Sequence, residues 1–178
     1  MYTSIINMKQ SLVCASLLFI FLFSGKFSFA QAAFELPQNI ELNAKEDYTK
    51  YEPVVVEAAK WLEATDLDKD AQKRQEINDF VLQWVSGSST VSVDITPQLS
   101  KIYGKNTQLI GIYLASYSRN FIENRSTATK LTAAKAGIIS MMNVYKKDIR
   151  IIKNKEMDKL IKFSDSELQA YVAEKFKL

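Results

Sequence analysis

Histidine is missing from this 178-residue chain, cysteine occurs once, and proline and glycine occur only three and five times. Without imidazole there is no serine–histidine relay and no histidine-bearing zinc site. The lone cysteine, Cys14, sits inside the apolar stretch SLVCASLLFIFLF. That stretch carries no charge from Ser11 to Phe23. At about 13 residues it is shorter than the roughly 20 that a helix needs to cross a bilayer core. Lys9 precedes it, and Ser28, Phe29 and Ala30 follow as a small-x-small exit. Basic start, short apolar middle and small-residue exit predict a secretory signal peptide over residues 1–30. Met8, followed by Lys9 and Gln10, makes a conventional start as well. The competing reading is an uncleaved anchor, which Lys26 favours by interrupting the exit; against it, Ala30, Ala32 and Ala33 all offer cleavage points. Cys14 lies too early in the run to become a lipidated first residue. The expected destination is the periplasm or the outside of the cell, with no stable membrane insertion after cleavage.

Removing the signal removes Cys14, so the exported product has no disulfide, no cysteine nucleophile and no thiolate ligand. Such a domain depends on its hydrophobic core, which a chain of this length can build. The 23 Lys and Arg side chains face 20 Asp and Glu. Two of those lysines, Lys9 and Lys26, leave with the signal, and the remainder is nearly neutral. That balance argues against nucleic acid as a partner, since such binders rely on excess cations.

Scarce proline and glycine leave long stretches free to be helical. Residues 31–52, broken by Pro37, show no clear period and read as a flexible lead-in to a helical domain over 53–178. Pro53 suits a first helical turn, and Val54, Ala58, Trp61, Leu62 and Thr65 recur at helical spacing. After the polar TDLDKD, the stretch AQKRQEINDFVLQWV places Ile77, Phe80, Val81, Trp84 and Val85 on one face. Gly87 in SGSS offers a left-handed stop. TVSVDITP alternates Val91, Val93 and Ile95 at period two before Pro97 closes it. No ladder partner lies within clear reach, so this predicts one extended segment near 90–96 lying over the helices.

TQLIGIYLASYSRNFIEN groups Leu109, Ile110, Tyr113, Leu114, Tyr117 and Phe121. ATKLTAAKAGIISMMNVYKKDIRII groups Leu131, Ala134, Ile138, Met141, Met142 and Tyr145, and its small residues Ala133, Ala134, Ala136 and Gly137 admit a close neighbour. KEMDKLIKF predicts a short helix with Met157, Leu160 and Ile161. Ser164 and Glu167 form a capping box opening a last helix with Leu168, Tyr171 and Val172. The expected architecture is all-α: one domain, a bundle of about five to six helices.

Four features invite a functional reading. Asp66, Asp68 and Asp70 match the start of a calcium loop, but Ala71 replaces its turning glycine and Ile77 its closing glutamate. A solvated turn in which Asp70 caps the next helix explains them better, and no metal or cofactor is expected. The run YKKDIRIIKNKEMDKLIK gathers Lys146, Lys147, Arg150, Lys153, Lys155, Lys159 and Lys162, a cluster suited to a phosphate-rich lipid or an acidic partner; a solvated helix face explains it more simply. Tyr103, Tyr113, Tyr117, Phe121 and Tyr145 supply aromatic surface, and Tyr113, Tyr117 and Phe121 are the candidate ligand-binding residues if the third helix lines a pocket. Glu46, Asp47, Glu52 and Glu57 are near enough in sequence to raise paired-carboxylate hydrolysis. No nucleophile elbow, phosphate loop or paired metal motif accompanies them, and no catalytic residue is assigned.

From AAKWLEATDLD through QKRQEINDFVLQWVSGSSTVSVDI, and again at LASYSRNFIEN, MMNVYKK, KLIKF and ELQAYV, the chain resembles a family of small signal-bearing helical proteins from Bacteroidetes. WVSGSSTVSV and VYKK are its most distinctive pieces. The resemblance implies export and a shared helical fold, and it carries over no functional residue. There is a fainter similarity to periplasmic acid-stress chaperones and to immunity proteins that neutralise exported toxins; those families typically use a disulfide, which this chain lacks once the signal is gone. The expected role is non-catalytic: binding a protein or a small apolar ligand in the periplasm or outside the cell, with a carboxylate hydrolase or a chaperone-like or immunity-type inhibitor as alternatives.

Overall fold

The computed structural model describes residues 34–178; the expected signal peptide over 1–30 lies outside them. All regular structure among the described residues is helical. In chain order the helices are α1 (Lys45–Lys50), α2 (Glu52–Ala64), α3 (Ala71–Gly87), α4 (Pro97–Tyr103), α5 (Leu109–Glu123), α6 (Lys130–Lys146), α7 (Lys155–Leu160) and α8 (Asp165–Phe176). None is long and apolar enough to cross a membrane.

α5 is the hub, because Ile112 to Ser118 are buried without interruption, as is Leu109. It packs most extensively on α6, then on α2 and α3. The α5–α6 approach is as close as the small residues of α6 suggest. A Cβ on Gly137 would stand 2.6 Å from the ring of Tyr113 and 3.0 Å from its carbonyl oxygen.

The core stripe of α2 is Val55, Ala58, Ala59 and Leu62, one position round from the expected Val54 and Trp61, which are only half buried. Trp61 instead lies under two cations, with Lys73 and Arg74 each 5.3 Å from its rings. In α3 the stripe Ile77, Phe80, Val81 and Trp84 is buried as its period predicts.

The lead-in expected over 31–52 belongs, from Phe34 on, to the packed unit. Phe34, Leu36, Ile40, Leu42 and Tyr48 all rest on the core. Asp47 holds α1 in place by accepting from the backbone N–H of Asn43 (3.0 Å) and Ala44 (2.8 Å). Trp84 Nε1 donates to the Tyr48 carbonyl at 2.8 Å, which ties α1 to α3. This contact also corrects the reading of Gly87. Of the described glycines only Gly104 has positive φ, so Gly87 is no left-handed stop. A Cβ there would sit 2.0 Å from the Tyr48 hydroxyl; the missing side chain makes room for a tyrosine.

Residues 91–96 join no ladder, as expected, and Thr96 at their end has extended dihedrals. Pro97, however, opens a helix: it stands at the first position of α4, behind the cap Thr96 Oγ1, which accepts from Leu99 N–H at 3.2 Å. The fourth expected helix stops at Lys146 rather than running to Ile152, because Asp148 and Arg150 take φ of 58° and 51°. Ser164 and Glu167 form the expected capping box, with Ser164 N–H donating to Glu167 Oε2 at 2.7 Å and Glu167 N–H to Ser164 Oγ at 3.3 Å.

Candidate functional site

The third long helix carries the three aromatic candidates, and the structure places them inward. Tyr113 and Tyr117 are buried and Phe121 is half buried, their rings following one another at 5.8 and 5.4 Å. The space beside Tyr113 and Tyr117 is only about 10 Å³, at the lower limit for one water molecule. The Tyr117 hydroxyl donates to the Ser92 carbonyl at 3.0 Å and so pins the extended segment to α5. Burial, with the nearby Asp94 charge second, pushes Tyr117 up to about 12; burial raises Tyr113 as well. These rings work as core and latch.

The acidic candidates are also engaged separately. Glu52 is buried and paired with Arg125, and it accepts from Thr90 Oγ1 at 3.1 Å. Glu57 pairs with Lys60 at 2.7 Å, and Asp47 caps α1. Glu46 is exposed. Among the described residues no three acidic side chains converge as a metal site would require. Asp70 occupies the cap position of α3 with φ of 46° but makes no side-chain cap bond. The working group in that turn is Arg74, buried, whose guanidinium donates to the carbonyls of Leu62 (3.3 Å), Thr65 (2.8 Å) and Asp66 (3.0 Å). Lys147 completes the cluster by donating to the carbonyls of Glu63 (2.9 Å) and Ala64 (2.7 Å). Together the two cations satisfy the orphan carbonyls at the end of α2.

Open space lies on the opposite flank of α5. Residues one turn apart on α3, namely Asn78, Leu82 and Val85, form a stripe beside the buried one. It borders two hollows of about 370 and about 410 Å³ that share Leu82 and Leu114. The first runs between α3 and the start of α5, past Ile110 and Gly111; the second runs between α3 and the extended segment, past Val93 and Ile95. Leu82 and Ile95 are each 55% exposed, the highest fractions among the large apolar side chains described. A Cβ on Gly111 would meet Asn78 Oδ1 at 2.1 Å, and that oxygen is buried without a hydrogen-bond partner.

Along the second hollow the backbone itself is available. Among the described residues, the N–H and C=O groups of Val91, Val93, Asp94 and Ile95 have no hydrogen-bond partner, and Ser92 is held only through its carbonyl by Tyr117. Sequence periodicity missed Leu82 as a surface residue of interest. The signal was present as an apolar residue off the buried stripe of an amphipathic helix. Comparison with protein-family models, with curated proteins and with solved structures finds no match to this chain.

Proposed function

We propose that the protein is an exported, non-catalytic binding protein whose groove beside Leu82 receives an extended apolar segment of a partner protein. One observation carries this reading: two exposed aliphatic side chains, Leu82 and Ile95, flank a run of backbone whose hydrogen-bonding groups, apart from the Ser92 carbonyl, are unspent. An added strand would take up those groups, while alternate side chains enter the hollow. The groove is open-sided, which suits a polypeptide better than an enclosed small apolar ligand. A chaperone-like or inhibitory role would use the same surface. The hydrolase reading has less support, since the carboxylates that prompted it are each spent on other contacts or stand apart.

The test is recovery of a partner from the envelope fraction of the producing cell by wild type and by Leu82→Asp and Ile95→Asp. Each substitution is expected to weaken capture about 30-fold or more, as loss of an apolar anchor does, with thermal unfolding unchanged. Val93→Pro, which removes one backbone donor, should weaken it too. Equal capture by all variants, or turnover of a substrate by the purified protein, would overturn the proposal.

A further inference from the structure

Far along the chain from that groove, a third exposed apolar side chain is held in place by specific backbone bonds. Ile152 is 52% exposed, yet its backbone is gripped from both sides by Asn106, a residue only 1% exposed. Ile152 N–H donates to Asn106 Oδ1 at 2.8 Å, and Asn106 Nδ2 donates to the Ile152 carbonyl at 2.8 Å. Further bonds run from Gln108 Nε2 to the Arg150 carbonyl at 3.3 Å and from Asn154 Nδ2 to the Lys101 carbonyl at 3.0 Å. The loop after α6 is therefore fastened to the turn between α4 and α5. Two non-glycine residues in it, Asp148 and Arg150, hold positive φ, a conformation that persists only when surrounding contacts enforce it.

These two joined segments, 101–108 and 146–155, contain Lys101, Lys105, Lys146, Lys147, Arg150, Lys153 and Lys155 against a single carboxylate, Asp148. The rest of the described chain carries more acid than base. Asp148 is occupied by Lys153 at 2.8 Å, and the next two acids, Glu156 and Asp158, accept from the hydroxyls of Tyr171 and Tyr145 at 2.5 and 2.7 Å. Among the described residues Lys101, Lys105 and Arg150 enter no salt bridge. A protruding aliphatic side chain on a braced loop, in joined segments that carry unpaired cations, matches an interface whose outer layer is anionic and whose next layer is hydrocarbon.

We infer that the face around Ile152 docks the protein peripherally on an anionic lipid surface, with Ile152 entering the headgroup layer and Lys101, Lys105 and Arg150 meeting lipid phosphates. The contact is reversible, since one aliphatic side chain and a few cations bind far more weakly than a spanning helix. It does not depend on the Leu82 groove having a partner.

Co-sedimentation of the protein purified from its producing cell tests this, using vesicles of phosphatidylcholine alone or with about one third phosphatidylglycerol. Binding is expected on the anionic vesicles only, and raised salt should weaken it. Lys105→Gln with Arg150→Asn removes two charges, and asparagine tolerates the positive φ; at about fivefold per charge the pair should cost about 25-fold. Ile152→Ser should cost about fivefold while leaving the Asn106 backbone bonds intact. Far-ultraviolet circular dichroism and thermal unfolding of the variants should match wild type. Equal binding to both vesicle types, no binding to either, or variants that bind as wild type does would each overturn the inference. So would capture of a soluble protein through this face without any lipid binding.

Discussion

Gly137 sets the distance between α5 and α6, and a methyl group there has nowhere to go but the face of Tyr113. Because the nearest atoms include backbone as well as ring, Gly137→Ala is expected to destabilise the fold by about 2 kcal/mol, read from the midpoint of urea unfolding. The tyrosines of α5 add a pH dependence. Burial holds Tyr117 neutral up to about 12, against an ordinary value of 10.0. A raised folded-state value stabilises fully below the unfolded value and is lost above it. Stability should therefore fall as pH rises from about 10 towards 12, and the fall should be smaller in Tyr117→Phe. At this scale the sequence speaks through residue types more than through contacts. The small residues of α6 foretold a close neighbour. Gly87 looked like a stop signal because a glycine after a helix usually is one, and nothing local reveals that Tyr48, far back in the chain, fills its space.

Among the elements, α2 ends in the least expected way. Its last carbonyls are served by Arg74 of α3, at Leu62, and by Lys147 at the end of α6, at Glu63 and Ala64. Arg74→Met would leave the Leu62 and Thr65 carbonyls without donors inside the protein, and a loss of about 3 kcal/mol is expected. Lys147→Met, half exposed, should cost about 1 kcal/mol. Thermal unfolding of the two variants against wild type would show whether this order holds. The capping box of α8 offers a calibration: Ser164→Ala should cost about 1 kcal/mol. The long helices were legible because each buries a full stripe, and a stripe repeats often enough to be seen in sequence. α1, six residues long with none of them buried, and α4, seven residues long with Leu99 and Ile102 buried, were not seen, whereas the equally short α7 showed itself through Met157, Leu160 and Ile161. Thr96 and Pro97 did mark the start of α4, but Pro97 also fits the close of the alternating run before it. The overrun of α6 into Ile152 has a similar cause: Ile149, Ile151 and Ile152 continue an apolar pattern that only long-range contacts with Asn106 interrupt.

For the molecule as a whole, the all-helical class followed from composition and period, whereas the groove did not. Leu82 is one apolar residue among several on α3, and only the arrangement of α5 and the extended segment leaves it uncovered. The aromatic candidates failed to mark an opening for the same reason reversed: on the hub helix almost every side chain is buried. That centrality also governs the order of assembly. α5 and α6 are neighbours in sequence and form the largest interface, so they can pair early with little loop entropy to overcome. α2 and α3 are synthesised sooner and touch each other, but each packs more extensively on α5 than on the other. A nascent chain halted before Leu109 lacks the surface on which α2 and α3 pack most. The packing of its leading half is completed only once the hub is in place.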